Sequence, residues 1–469
     1  MSVTIDQSTA DGLTSYDAVA VGGGVWPRLL DGTEPVGQMA GSGLREPPYL
    51  VRRRDGQVVQ LSRLLYVIAS RMDGRDLTAI AESAGRALDV RLTPEHVAYV
   101  AEHKLAPLGV VAHRDGTMPA FETRNALLAL KFRVGVVPRR AVNALAGLFR
   151  PLFVPAVVVA ALVGLAACDV WLGTSHGIGA ALRTVIHHPV LGLAFFALVM
   201  LSLAFHECGH AAACRYGGAR PGRIGVGIYL VWPVFYTDVT DSYRLSKAGR
   251  LRTDLGGVYF NVLFALAAAG AYFVTSYEPL LIIVVSQQML ILDQFVPWVR
   301  LDGYHIVSDL IGVSDLFARI KPVIKSLLPR RPADPRVSEL KRWARIAVTI
   351  WVLTTVAALS AMAITVIIYA PGYLTRAWQS LTLQLDTIGV GVRLGSVVDV
   401  LTGAIGTCML LLPVAGITLT YLLICRGIGT GLAVRRVRAD PTLAGCDGEK
   451  NPLRVGANFA EAAEVARRD

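Results

Sequence analysis

Charge is what this 469-residue sequence has least of: 17% of its residues are Asp, Glu, Lys or Arg, against 53% apolar. With a mean hydropathy of +0.49, the chain is too apolar for a soluble protein of this size. It fits a polytopic membrane protein with soluble parts. Cysteine is scarce too. The six present (Cys168, Cys208, Cys214, Cys408, Cys425 and Cys446) form no CxxC pair, which argues against a disulfide framework and for small apolar packing residues. The first twenty residues lack a basic start followed by an apolar core, so a cleaved signal peptide is not expected. The first convincing span begins only near Leu152, which leaves a long N-terminal soluble region.

Long apolar runs are present. They predict a mainly α, polytopic helical membrane protein with about six transmembrane helices: Leu152–Leu172, Pro189–His210, Leu255–Val274, Leu280–Val296, Ile346–Tyr369 and Ala404–Cys425. The fourth is only marginally long enough. The net charge of +11 sorts by segment, which points to orientation in the bilayer and not to nucleic acid. Arg215, Arg220, Arg223, Arg244, Lys247, Arg250 and Arg252 share one side with Arg300, Arg319, Lys321, Lys325, Arg330 and the basic tail. The other side has only Arg183, Arg376 and Arg393. The positive-inside rule then makes both termini cytoplasmic in a multi-pass protein of the plasma membrane.

Between the second and third spans, Ile224–Tyr236 is apolar but too short and too punctuated by Gly and Pro to cross. It reads either as a re-entrant or membrane-edge hairpin, whose edge could pair with a substrate strand, or as an interfacial loop that only packs. Upstream, Tyr49–Leu61 reads as a hairpin around Asp55-Gly56. Helices follow at Ser62–Ala69, at Leu77 to about Ala87, and after Thr93-Pro94-Glu95, where Thr caps and Pro opens the helix. A hairpin with three short helices makes a winged-helix-like soluble domain, and tethering to a membrane favours peptide or protein binding over DNA binding.

The chemistry concentrates in His206-Glu207-Cys208-Gly209-His210, an HExxH motif at the end of the second span. On a helix, His206 and His210 lie one turn apart on one face and can reach one metal. Glu207 sits beside them, placed to take a proton from an activated water, while Cys208 points away from that face. Ionisable groups at membrane depth are functional candidates by default. A catalytic Zn2+ needs three protein ligands and an open position. The best third ligand is Asp302 in Leu301-Asp302-Gly303, past the fourth span on the same predicted side, with Gly303 allowing a sharp turn there. Of the other polar membrane residues, Gln287, Gln288 and Asp293 are read as lining the bundle interior or a water path, with Asp293 as an alternative partner for a ligating histidine. His187 and His188 are read as caps before Pro189, and Trp232, Trp298, Trp343 and Trp351 as interface anchors.

HExxH followed by LDG resembles the site-2 protease family of intramembrane zinc metalloproteases, from about Ala194 to Leu310, and most closely its peptide zinc metalloprotease branch. Asp238-Val239-Thr240-Asp241, Gly257-Val258-Tyr259-Phe260-Asn261 and Arg300-Leu301-Asp302-Gly303-Tyr304 extend the likeness. The resemblance implies zinc held by His206, His210 and Asp302, Glu207 as general base and acid, and Asn261 as a residue that positions substrate. Cys208 stands where the family has leucine, and Val296-Pro297 where it has Asn-Pro. The stretch from Tyr49 to about Val111, with Met72-Asp73-Gly74-Arg75-Asp76-Leu77, resembles PqqD-like domains, which bind leader segments of ribosomally made peptides.

The expected organisation is a loosely ordered 1–45, a PqqD-like module 46–115, a linker 116–150, the zinc core 151–310, a cytoplasmic linker 311–345, two further spans within 346–425 and a tail 426–469. The expected function is a membrane-embedded zinc endopeptidase that removes the leader of a ribosomally synthesised, modified peptide. The alternatives are intramembrane cleavage of a membrane-anchored regulator, or a non-catalytic scaffold or transporter subunit that docks a peptide. Expected partners are a peptide or membrane-protein substrate and the lipid bilayer, with no nucleic acid; no feature excludes a homo-oligomer.

Overall fold

A computed structural model describes residues 20–439 apart from 22–23, 26, 55–56, 118–130, 176–178, 230–231 and 329–333. The described chain forms two compact units, one of 20–30, 67–117 and 417–439, the other of 31–66 and 131–416.

In chain order, the two-residue strands β1 (Ala20–Val21) and β2 (Gly24–Val25) precede an antiparallel sheet of β3 (Glu34–Gln38), β4 (Tyr49–Arg52) and β5 (Val58–Leu61). β4 and β5 form the expected hairpin, with Arg52 opposite Val58; its turn residues Asp55 and Gly56 lie outside the described residues. Helices α1 (Arg63–Ala69), α2 (Leu77–Leu88) and α3 (Pro94–Val100) follow. Asp76 opens α2 by accepting from the Thr78 amide at 3.0 Å, and Thr93 opens α3 with Pro94 in its first turn. These side chains occupy amide groups that the helix itself leaves unpaired. Ile80, Ala81 and Ala84 on α2 and Val97 and Ala98 on α3 are buried, as one apolar face per helix requires.

The larger unit continues with β6 (Lys131–Val137), α4 (Arg139–Phe149), α5 (Pro155–Ser175), α6 (Gly179–His187) and α7 (Pro189–Tyr216). β7 (Ile224–Tyr229) and β8 (Trp232–Thr237) pair in register and, with β6, make a second sheet ordered β6-β7-β8. Then come α8 (Lys247–Asp254), α9 (Gly256–Thr275), α10 (Pro279–Gln294), α11 (Asp302–Ile311), α12 (Ile320–Leu327), α13 (Pro335–Ser338), α14 (Arg342–Leu394) and α15 (Val397–Ala439).

Five of these helices are long and apolar enough to cross a membrane among the described residues: α5, α7, α9, α14 and α15. Exposed Val159, Leu162, Val163 and Val170 on α5 supply the apolar outer surface a bilayer would cover. The sequence-based expectations differ from the structure in three ways. The fourth is realised as α10, only 16 residues or about 24 Å, short of a ~30 Å hydrocarbon core. The fifth is one helix of 53 residues, about 80 Å, which turns into α15 at the left-handed Gly395. The segment between the last two expected spans is helical, and Gly391, Gly403 and Gly406 let α14 and α15 approach closely. Third, residues through Arg45 were expected to be loosely ordered, yet β3 and the stretch after it are built into the larger unit. Gly43 N donates to Gly312 O at 2.9 Å and Arg45 N to Glu339 O at 2.8 Å. Residues 1–19 and 440–469 lie outside the described residues.

The contact that sets the bundle is the crossing of α7 and α9. A Cβ on Gly209 would run into the Gly256 carbonyl and stand 2.7 Å from the Phe260 ring. Phe205, Phe260, Phe149 and Phe153 fill the space around it, Phe205 and Phe260 with ring centres 4.5 Å apart. Gly209→Val should destabilise the protein by about 1–3 kcal/mol, the usual cost of overpacking. Gly270→Val on the same helix pair should cost little, because a Cβ there meets nothing within 4 Å. Thermal unfolding in detergent reads the difference; equal midpoints would contradict the close crossing.

Candidate metal centre

Helix α7 carries His206 and His210 one turn apart, as 3.6 residues per turn demands. Their rings sit 4.8 Å apart and nearly perpendicular, with Nε2 atoms 3.1 Å from one another. Asp302, the first residue of α11, brings Oδ2 to 3.1 Å from His206 Nε2 and 3.2 Å from His210 Nε2. Ligand atoms around a tetrahedral zinc with bonds of ~2.0–2.1 Å stand ~3.3 Å apart, so this triangle fits zinc. The three side chains are 5, 10 and 18% exposed, and solvent reaches the group from the Asp302 side. Among the described residues this is the one His, Cys, Asp and Glu cluster able to hold a metal.

Hydrogen bonding orients the set. His210 Nδ1 donates to the Thr253 carbonyl of α8 at 2.8 Å, which fixes the tautomer that leaves Nε2 free as a ligand. His206 Nδ1 is buried without a hydrogen-bond partner among the described residues. Burial alone would raise the Asp302 carboxyl. The imidazoles of His210 and His206 outweigh it and hold Asp302 far below the usual carboxylate range, as an anion.

Asp302 is held at this level by its preceding loop. Trp351 Nε1 donates to Pro297 O at 3.0 Å, and the Arg300 amide donates to the Tyr229 hydroxyl of β7 at 3.0 Å. Arg300 pairs with Asp315 at 2.9 Å, and the Leu316 amide donates to the Tyr304 hydroxyl at 3.0 Å. Trp351, Tyr304 and Leu316 belong to one buried core beneath α11. Trp351 is therefore a core residue, 4% exposed, and not the interface anchor its type suggested, whereas Trp298 and Trp343 are exposed. Gly303 is helical, so its service is close approach and not a special turn. A Cβ there would stand 2.7 Å from the Phe295 and Val296 backbone at the end of α10.

Glu207 is 8% exposed, and its Oε2 accepts from the Thr237 hydroxyl at 2.6 Å. Thr237 ends β8, so the hairpin reaches the metal centre through this bond. Asp238 and Asp241 brace the hairpin base: Asp238 accepts from Thr240 Oγ1 at 2.7 Å, and Asp241 from the Arg220 amide at 2.9 Å. Gly257 faces the triad directly, since a Cβ on it would collide with His206 Nε2 and lie 2.5 Å from His210 Nε2. Asn261 is one turn further along that face of α9, fully buried, with neither side-chain polar atom paired among the described residues.

The remaining polar residues separate. Gln287 is buried inside the bundle and donates to Ser202 at 3.0 Å, and Gln288 donates to Asp169 at 2.6 Å. Asp293 is exposed, and the Thr253 carbonyl takes the histidine contact considered for it. Cys208 packs with apolar residues away from the metal face. His188 precedes α7 without a side-chain capping bond. Thr237, Thr253 and Gly257 were not singled out from sequence, although Thr237 adjoins the Asp238–Asp241 signature and Gly257 opens the one ending at Asn261.

Gly257→Ala should weaken zinc binding by roughly 10–100-fold, the scale of losing a ligand's support. Chelator competition on detergent-purified protein checks this; an unchanged affinity would place Gly257 away from the ligands.

Over 124 residues the chain is 24% identical to a protein of Bacillus subtilis (strain 168) named "Putative peptide zinc metalloprotease protein YydH". The match takes in 26% of this chain and 49% of that protein, so the chain spans about half the length of the curated relative it matches. No family model and no solved structure matches.

Proposed function

We propose that this protein is a membrane-embedded zinc endopeptidase of the site-2 protease type, cutting peptide bonds at the cytoplasmic side of the plasma membrane. The convergence of His206, His210 and Asp302 within 3.2 Å, with Glu207 adjoining on the same helix, carries the reading. A zinc ion held there supplies Lewis acidity, which polarises a peptide carbonyl and acidifies water toward a pKa of ~7. Glu207 takes the proton of the attacking water and returns it to the leaving amine. The Thr237 hydroxyl keeps Oε2 of Glu207 oriented while it does so.

A helical substrate hides its carbonyls in intrahelical bonds and must be extended before attack. β6 occupies one side of β7, which leaves the outer edge of β8, near Glu207, without a paired strand among the described residues. A substrate strand added along β8 would run toward the metal centre. Asn261, whose buried amide has donors to spare, would position it.

Leader removal from a ribosomally synthesised, modified peptide is the substrate reading we favour. It is supported by the PqqD-like likeness of Tyr49–Val111 and by the β3-β4-β5 sheet, whose outer strands offer edges for a leader. The distribution of Lys and Arg supports cytoplasmic termini.

Glu207→Gln should bind zinc as the wild type does and cut a precursor peptide at least ~10³-fold more slowly. Reconstituted protein with candidate precursors, followed by mass spectrometry, reads this. Full cleavage by Glu207→Gln would remove the mechanism, and a chain indifferent to this change in every assay would fit a peptide-docking scaffold.

A further inference from the structure

Arg250, on α8, has no solvent exposure at all. A guanidinium cannot give up its proton, so burial of this kind demands that its donors be matched. Nε donates to Asp309 Oδ1 at 3.1 Å, Nη1 to the Leu245 carbonyl at 3.2 Å and Nη2 to the Ala40 carbonyl at 3.0 Å. Each acceptor belongs to a different part of the larger unit. Asp309 lies two turns beyond Asp302 on the same face of α11. Leu245 ends the turn before α8, and Ala40 belongs to the stretch after β3. Three residues past Arg250 on α8 is Thr253, whose carbonyl fixes His210.

The stretch around Ala40 is itself firmly docked. Gly43 N donates to Gly312 O and Lys341 N to Gly43 O, both at 2.9 Å, while Lys341 Nζ donates to Ser42 O at 2.9 Å. A Cβ on Gly43 would collide with the Ile311 carbonyl at the end of α11. Ala40–Arg45 is therefore a strap across the far end of the helix that begins with Asp302.

Charge gives Arg250 a further role. Burial, and then the negative charge of Asp309, push the Asp254 carboxyl well above its ordinary value. Asp254 and Asp309 meet across the α8–α11 contact as a pair in which a proton on Asp254 is favoured, and the Arg250 guanidinium is the cation that partners Asp309. Without it, the Asp309 carboxylate would lose the cation it pairs with, and α11 its charged tie to α8.

We propose that Arg250 is a positioning residue for the metal centre: by joining Asp309, α8 and the Ala40–Arg45 strap, it holds Asp302 against His206 and His210. The N-terminal segment is then part of the support of the metal site. This inference rests on the metal-site reading above. The test is the zinc dissociation constant of the detergent-purified full chain, by chelator competition, for wild type, Arg250→Met, Arg250→Lys and Gly43→Val. Helix content and a monodisperse profile establish that each variant is folded. Arg250→Met should bind zinc roughly 10–100-fold more weakly, with part of the loss recovered in Arg250→Lys, which keeps the charge. Gly43→Val leaves every charged group in place and should weaken zinc through the strap alone, so it decides the matter if Arg250→Met does not fold. Wild-type affinity in folded Arg250→Met or in Gly43→Val overturns the positioning role and leaves the metal site standing. No zinc in the wild type overturns both.

Discussion

Two imidazole nitrogens and a carboxylate oxygen, mutually 3.1–3.2 Å apart and nearly out of water, cannot share that space as bare lone pairs. Something positive must join them, a proton or a metal ion. The rest of the larger unit is arranged around that requirement. One ligand pair comes for nothing from helical geometry, because i and i+4 share a face. The third group of the triangle, Asp302, is 92 residues beyond His210 in sequence and has to be delivered by packing.

The delivery uses backbone proximity and buried polar contacts. Gly209, Gly256 and Gly257 bring α9 onto α7 until no side chain fits between, and the same contact sets Gly257 against the ligand nitrogens. Short α10 ends at Gln294, and the loop after it leads into α11, which Asp302 begins. Trp351, Tyr229 and Arg300 pin that loop, while the far end of α11 is tied to α8 and to the N-terminal strap through Arg250. Glu207 answers to a different element, the hairpin, through Thr237. Glu207 shares α7 with the two histidines, but its carboxylate is oriented by the hairpin while Asp302 is held by its own loop and by α8, so the two carboxylates can be perturbed separately.

How much of this was legible in the sequence follows from the range of each interaction. HExxH was legible because its geometry is local, and Asp302 because a ligand deficit and the predicted topology pointed to it. The short helices α2 and α3 were legible through caps such as Thr93-Pro94 and through apolar periodicity. The Thr253 carbonyl was not, since any residue carries a carbonyl and only the fold selects this one. Thr237 and Arg250 are ordinary polar residues in sequence; their burial and partners make them matter. Trp351 is ambiguous in sequence, because an aromatic near a span end suits an interface as well as a core. Hydropathy located the apolar part of α14 but could not see its continuation, where exposed polar and apolar residues alternate along a helix packed on α15 through glycines. The N-terminal stretch before Arg45 looked loose because Gly-rich composition hides close backbone docking, as at Gly43 and Gly312.

The most direct measurement is zinc per chain in detergent-purified wild type and in Asp302→Ala. The account predicts close to one zinc in the wild type and far less in a folded variant. A full complement of zinc in Asp302→Ala, or none in a well-folded wild type, would contradict it.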